Sequence, residues 1–351
     1  MVRKRYLLKE FFTVWFLVTL GFLALFVVIQ ILTDLPQKIQ MRSSRQWESY
    51  WWQLPLTFVE ISPILTLLTG LFLLAEMMKN GEIRVLELGG LFPFLIYDML
   101  LLSGLVTAGV AFLVNEQLVP SAYTRLRPLK ALTQVHLSAP SFLFYTERFV
   151  PPAYVENLQV SYSLSDGNWY TLTAKQGWFQ SGFWLLRNGQ LWGFEAGRLK
   201  EEIVFKQTRI QLPVTPDLLT FSGQSFPCNS LKQLLLWRSK FSALGFSKIP
   251  ISVSIQERIA YPALCFFIIF ASIPFFLWRG HLTRFFVLSF SFLFSFGCYF
   301  VYSISISLAR SGRVPVFWGV WLVHGTLVFL AAVCVIVHSW KGIFFFSRTV
   351  R

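Results

Sequence analysis

Two blocks of nearly uninterrupted hydrocarbon, each holding three apolar runs, flank a strand-like stretch at residues 120–256, and this layout limits the chain more than any motif in it. The runs fall at 11–33, 54–78, 91–114, 259–278, 285–308 and 316–339. A helix needs roughly 20 apolar residues to cross a bilayer, so each run is long enough. The order is therefore three spans, a large domain outside the membrane, and three more spans. A soluble enzyme is excluded. Mean hydropathy is +0.57, and charged residues make up 14% of the chain, against about 25% in ordinary soluble domains.

The start is basic (Arg3, Lys4, Arg5, Lys9), but the run behind it is too long for a signal-peptide core and lacks a small-residue cleavage site. The first span is expected to stay in the mature chain. Lys and Arg in short loops set orientation. The N-terminal tail, the turn between spans four and five (Arg279, Arg284) and the C-terminal tail (Lys341, Arg348, Arg351) all point to the cytoplasm. Six spans put both termini on that side. Lys38, Arg42 and Arg45, with Arg310 and Arg313, oppose this, so the bias is modest.

The external segment counts 14 Lys plus Arg against 7 Asp plus Glu, +7 of the chain's +14. A basic domain beside a membrane suits an anionic lipid or sugar, or simply solubility near anionic headgroups. Nucleic acid is not an expected partner on the outer side. Of four cysteines, only Cys228 lies outside the spans, so no disulfide within the external domain is expected. The four histidines do not cluster, and neither a metal nor a cofactor is expected.

Within that segment, LQVSYSLSDGNWYTLTA (158–174) and FWLLRNGQLWGF (183–194) alternate apolar and polar residues around Asp166-Gly167 and Asn188-Gly189. Both dipeptides suit the primed turns of β-hairpins, whose central residues need positive φ. EEIVFKQTRIQLP (201–213) also alternates. Short strands with frequent turns indicate a sandwich or jelly roll. After Pro216 the pattern becomes helical, with apolar residues three to four apart in SLKQLLLWRSKFSALGF (230–246).

Trp47, Tyr50, Trp51 and Trp52 precede span two and read as an interfacial belt. Glu60 and Asp98 each fall about two turns inside a span, where charge is expensive. No second carboxylate, Lys or His joins them in a relay, which favours helix packing or a subunit contact over ion transport. Between spans two and three, AEMMKNGEIRVLELGGLFPF (75–94) concentrates its polar residues at 79–87. A short amphipathic helix from Glu82 to Leu88 fits, with Ile83, Leu86 and Val85 on its apolar face. So short a helix is unstable alone and must dock on something. A tight turn at the headgroups is the simpler alternative.

At this point the sequence resembles the LptF/LptG (YjgP/YjgQ) family of lipopolysaccharide-export permeases. Glu82, Val85-Leu86 and Gly90 match the spacing of the family's linking segment. Asn115-Glu116-Gln117-Leu118-Val119-Pro120 resembles the end of its third span, and Gln256-Glu257-Arg258-Ile259-Ala260-Tyr261-Pro262 the start of its fourth. Gly312-Arg313-Val314-Pro315 with Trp321 resembles its last turn. Val323-His324 departs from it, where Pro-Asn is frequent.

The resemblance implies an α+β membrane protein of six transmembrane helices (3+3) with an inserted periplasmic β-jelly-roll domain. Its parts are helices 1–3 with a cytoplasmic coupling helix (about 79–90) in 1–134, the jelly roll in 135–250, and helices 4–6 with a cytoplasmic tail in 251–351. It implies a bacterial inner-membrane permease working with a paralogous permease, a cytoplasmic ABC ATPase dimer and a periplasmic jelly-roll bridge protein. Together these extract lipopolysaccharide and pass it toward the outer membrane. Glu82, Ile83, Val85, Leu86 and Gly90 would couple to the ATPase. No GxxxxGK[ST] sequence occurs, so ATP chemistry would belong to that partner rather than to this transporter subunit. Lys38, Arg42 and Arg45 are candidates for the lipid head group, with snorkelling to the interface as the alternative. A mechanotransmission subunit, which moves an external domain without passing lipid, is the competing reading; such subunits usually have four spans.

Overall fold

A computed structural model of the chain describes residues 2–38, 46–89, 94–126, 132–139, 142–163, 168–195, 198–212, 214–223, 229–243, 247–279 and 283–348. Two compact units emerge, residues 1–122 with 255–351, and residues 123–254.

The first unit is built from α1 (Val2–Lys38), α2 (Gln46–Lys79), the short α3 (Glu82–Leu88), α4 (Phe94–Leu126), α7 (Ile249–Arg279), α8 (Arg284–Arg310) and α9 (Val316–Arg348). Six of these are long and apolar enough to cross a membrane. They run past the apolar stretches at both ends, because helical backbone satisfies itself while the flanking polar residues reach water. α1, α8 and α9 expose apolar faces over most of their length, whereas α2 is largely enclosed.

Prolines inside the enclosed helices remove N–H groups and free the carbonyls four residues earlier. Ser62 Oγ donates to the Val59 carbonyl, freed by Pro63, at 2.9 Å. Asn115 Nδ2 reaches the Arg258 carbonyl, freed by Pro262, at 3.4 Å. Small residues let the helices close up. A Cβ on Gly104 would lie 3.3 Å from the Phe266 Cα, so α4 and α7 meet backbone to backbone.

The second unit carries a six-stranded sheet: β1 (Leu132–Ala139), β2 (Phe142–Val150), β3 (Tyr154–Ser163), β4 (Trp169–Gln180), β5 (Phe183–Glu195) and β6 (Arg198–Ile210). Every neighbour pair is antiparallel and the strands pair in chain order, so the described strands form a single up-and-down sheet, without the Greek-key crossings that the expected jelly roll would show. Helices α5 (Pro216–Gly223) and α6 (Leu231–Ala243) follow. Alternation puts Phe144, Val155, Leu158, Val160, Leu172 and Trp184 in the core. Trp184 Nε1 donates to the Val214 carbonyl at 2.7 Å, which ties the chain after β6 back to β5.

The turns differ from expectation in one place. Asp166-Gly167 lies outside the described residues, between strands that pair from Ser163 and Trp169 onward. Asn188-Gly189 is not a turn but the middle of β5, although Asn188 does take a φ of 51°. The β4–β5 reversal is made instead by Ser181 (φ 52°) and Gly182 (φ 85°), between the paired Gln180 and Phe183. Gly189 is glycine for a steric reason: a Cβ there would run into the Thr173 carbonyl and the Phe205 ring.

Candidate functional site

Two regions of the helical unit hold the sequence-predicted site residues. The first surrounds α3. Gly81 ends α2 in the left-handed region (φ 75°), which glycine adopts without steric cost, and the chain turns at once into α3. Seven residues do not hold a helix by themselves. Ile83 (6% exposed) and Leu86 (5%) supply the anchoring. They join a buried cluster with Leu7 and Phe11 of α1, Leu74 and Met77 of α2, Ile96 and Met99 of α4, Phe276 of α7 and Val287 of α8.

That anchoring divides the predicted coupling residues. Ile83 and Leu86 dock onto the chain itself and are unavailable to another protein. Glu82 is exposed, as are Val85 (55%) and Leu88 (91%). Leu88 was not among the residues expected; helical spacing gives it away, since 85 and 88 lie on the side turned away from 83 and 86, with 82 at the border. Gly90 lies outside the described residues.

The buried cluster also places helix ends. It gathers the start of α1, the end of α2, α3, the start of α4, the end of α7 and the start of α8. At this end Lys4 Nζ pairs with Asp98 at 2.6 Å, both half-exposed or more. Asp98 is thus a packing partner of the N-terminal helix, as the helix-packing reading expects.

The second region is the opposite end, where α1 closes at Lys38; Arg42 and Arg45 lie outside the described residues. Between the two ends an apolar groove of about 380 Å³ is lined by Val14, Val18 and Phe22 of α1, Leu68 and Phe72 of α2 and Leu288 of α8. Glu60 borders a separate cleft of about 170 Å³ with Tyr261, Ser295 and Tyr299. Tyr261 donates to the Glu60 backbone carbonyl at 2.7 Å, and no cation among the described residues pairs with the Glu60 carboxylate.

Near that end the separate sequence signatures meet. The buried Arg258 guanidinium donates to both the backbone and the side-chain oxygen of Asn115, the latter at 3.1 Å. Glu257 pairs with Arg310 at 2.7 Å, just before the Gly312–Pro315 turn. His324 is buried, its Nε2 2.8 Å from the Ala260 carbonyl and its ring 4.9 Å from that of Trp321. The residue that departs from the usual pattern is therefore a packed, hydrogen-bonded part of the α7–α9 contact. Among the described residues no three His, Cys, Asp or Glu side chains are grouped to hold a metal.

Comparison with known proteins bears on this arrangement as a whole. The family model described as lipopolysaccharide export system permease LptF/LptG matches residues 5–337, nearly the full chain. No curated protein matches it.

Proposed function

The chain belongs to the LptF/LptG family of lipopolysaccharide export system permeases, and from that premise we propose that it is the transmembrane subunit of an ABC transporter in a bacterial inner membrane. In this reading it pairs with a paralogous permease, and both are driven by a cytoplasmic ATPase dimer. Lipopolysaccharide leaves the membrane and passes to a periplasmic bridge protein that continues the β-domain. Both termini are cytoplasmic.

One observation carries the coupling part: Ile83 and Leu86 join α3 to a buried cluster shared by five membrane helices, while Glu82, Val85 and Leu88 are exposed. A push on that outer face moves the ends of α1, α2, α4, α7 and α8 together, because a packed interior transmits displacement. Glu82 would meet a basic residue of the ATPase. The α1–α2–α8 groove supports an acyl-chain path, being apolar, with the exposed Leu25 and Leu288 in its lining. Lys38, Arg42 and Arg45 beyond it would meet the phosphorylated head group. The mechanotransmission alternative gains no specific observation.

Glu82→Lys tests the reading. Truncating one partner of a desolvated interfacial charge pair costs about 2–5 kcal/mol, and reversal repels as well. ATPase that no longer co-purifies, or hydrolysis without lipid release, is expected. Assembly and export at the normal rate would remove the coupling role.

A further inference from the structure

We propose that α6 is a membrane-surface helix whose outward row, Lys232, Leu236 and Lys240 with Leu235 beside it, seats on an anionic lipid leaflet. The inference concerns the connection into α7 and holds whatever the cargo.

The helix begins on a reciprocal cap. The Gln233 N–H donates to Ser230 Oγ at 3.4 Å, and the Ser230 N–H donates to Gln233 Oε1 at 2.9 Å. One stripe, Leu231, Leu234 and Phe241, turns inward, with Leu234 fully buried and the half-buried Trp237 at its edge. This stripe satisfies the helix's need for a core. Nothing in the fold then explains Leu236, 65% exposed on the opposite side, or the half-exposed Leu235 next to it. At 100° per residue, Lys232, Leu236 and Lys240 form a single row along the far face.

Charge and tether identify the occupant. The helix carries Lys232, Arg238 and Lys240 and no acidic residue. Leucines between lysines on one face, with a tryptophan at the flank, is the pattern of a helix lying in a headgroup layer. Lys240 Nζ sits 4.7 Å from the Trp237 ring centroid, so cation and aromatic ring are held together as an interfacial pair. Only five residues separate Ala243 from Ile249, the start of α7, which continues as a membrane span. Fully extended, that connection reaches about 20 Å. The apolar run of α7 begins at Ile259, ten helical residues or about 15 Å past Ile249, so the helix is tethered within reach of the leaflet that α7 enters.

Full-length permease, one copy per nanodisc, carries a benzophenone side chain in place of Leu236, and its adducts are identified by mass spectrometry. The control carries the probe in place of Val204, equally exposed but on β6. In discs of one-third phosphatidylglycerol in phosphatidylcholine, lipid adducts several-fold above the control are expected, with phosphatidylglycerol over-represented. Lys232→Glu with Lys240→Glu should bring capture to the control level. A probe in place of Leu235 gives an independent reading should the first disturb the fold. Capture equal to the control, or capture of a peptide from a second protein, overturns the proposal. Lipid capture that is the same in phosphatidylcholine alone removes its anionic component.

Discussion

Asn115 and Arg258 stand 143 residues apart, and their pairing solves two problems at once. A buried guanidinium needs acceptors, and Asn115 supplies two oxygens. Pro262 leaves the Arg258 carbonyl without its helical donor, and the same Asn115 side chain supplies an N–H. Asn115→Leu removes the side-chain oxygen and the amide N–H together, while the Asn115 backbone carbonyl stays, and losing buried hydrogen bonds of this kind costs about 1–3 kcal/mol. The variant is expected to unfold at a lower temperature in nanodiscs, whereas an unchanged midpoint would show that the pair is dispensable. Both residues were visible in the sequence as members of separate signatures. Their contact was not, because nothing local in a span tells which neighbouring helix it faces. The cue available was the proline, whose freed carbonyl must find a donor in a solvent that offers none.

At the scale of elements, α3 shows how a correctly located helix can be assigned the wrong partner face. The run Glu82–Leu88 was legible from its flanking glycines and its spacing. Ile83 and Leu86 were grouped with Val85 as one docking face, because a seven-residue segment has too few turns to separate an inward stripe from an outward one. The split yields a paired expectation. Leu86→Asp should lower the stability of the permease alone, since it buries a charge in the apolar cluster that Leu86 joins. Val85→Asp with Leu88→Asp should leave that stability unchanged and abolish ATPase co-purification. Thermal unfolding of the isolated permease and pull-down of the complex measure the two effects separately. If both variants behave alike, the two faces have not been assigned correctly. The β-domain gives the complementary lesson: Asn188-Gly189 has turn chemistry, and its glycine is needed, but for the Phe205 ring packed against it. Ser181-Gly182 made the turn with a weaker signal, because the pairing of β4 with β5 decides where the chain reverses.

For the whole molecule, six spans and their grouping were legible in hydropathy, which works because a helix satisfies its backbone within its own apolar run, as lipid requires. Orientation was the less secure part, with basic residues on both sides. The helix ends gathered at α3 now bring Lys4, Lys79 and Arg84 to one face of the bundle, with Arg279 and Arg284 at adjoining helix ends. In the proposed topology that face is the cytoplasmic one. A protease site placed at Ser181-Gly182 is therefore expected to be cut from the outer side only, with tags at both termini reached only from the cytoplasm. Cleavage from the cytoplasmic side would reverse the topology.

The chain-order pairing of the sheet also bears on how the protein is made. Each strand finds its partner in the strand synthesised just before it, so no strand waits for a distant segment, and local pairings close fastest. In the proposed topology, a domain of this kind can grow edge by edge while it is still emerging on the far side of the membrane, after three spans have been inserted. A nascent chain ending at Ile210 has made all six described strands, yet the carbonyl of Val214 that accepts the Trp184 indole N–H has not been synthesised. The last strand can thus be in register before the core is closed, and the lock on the sheet arrives four residues after the sheet itself.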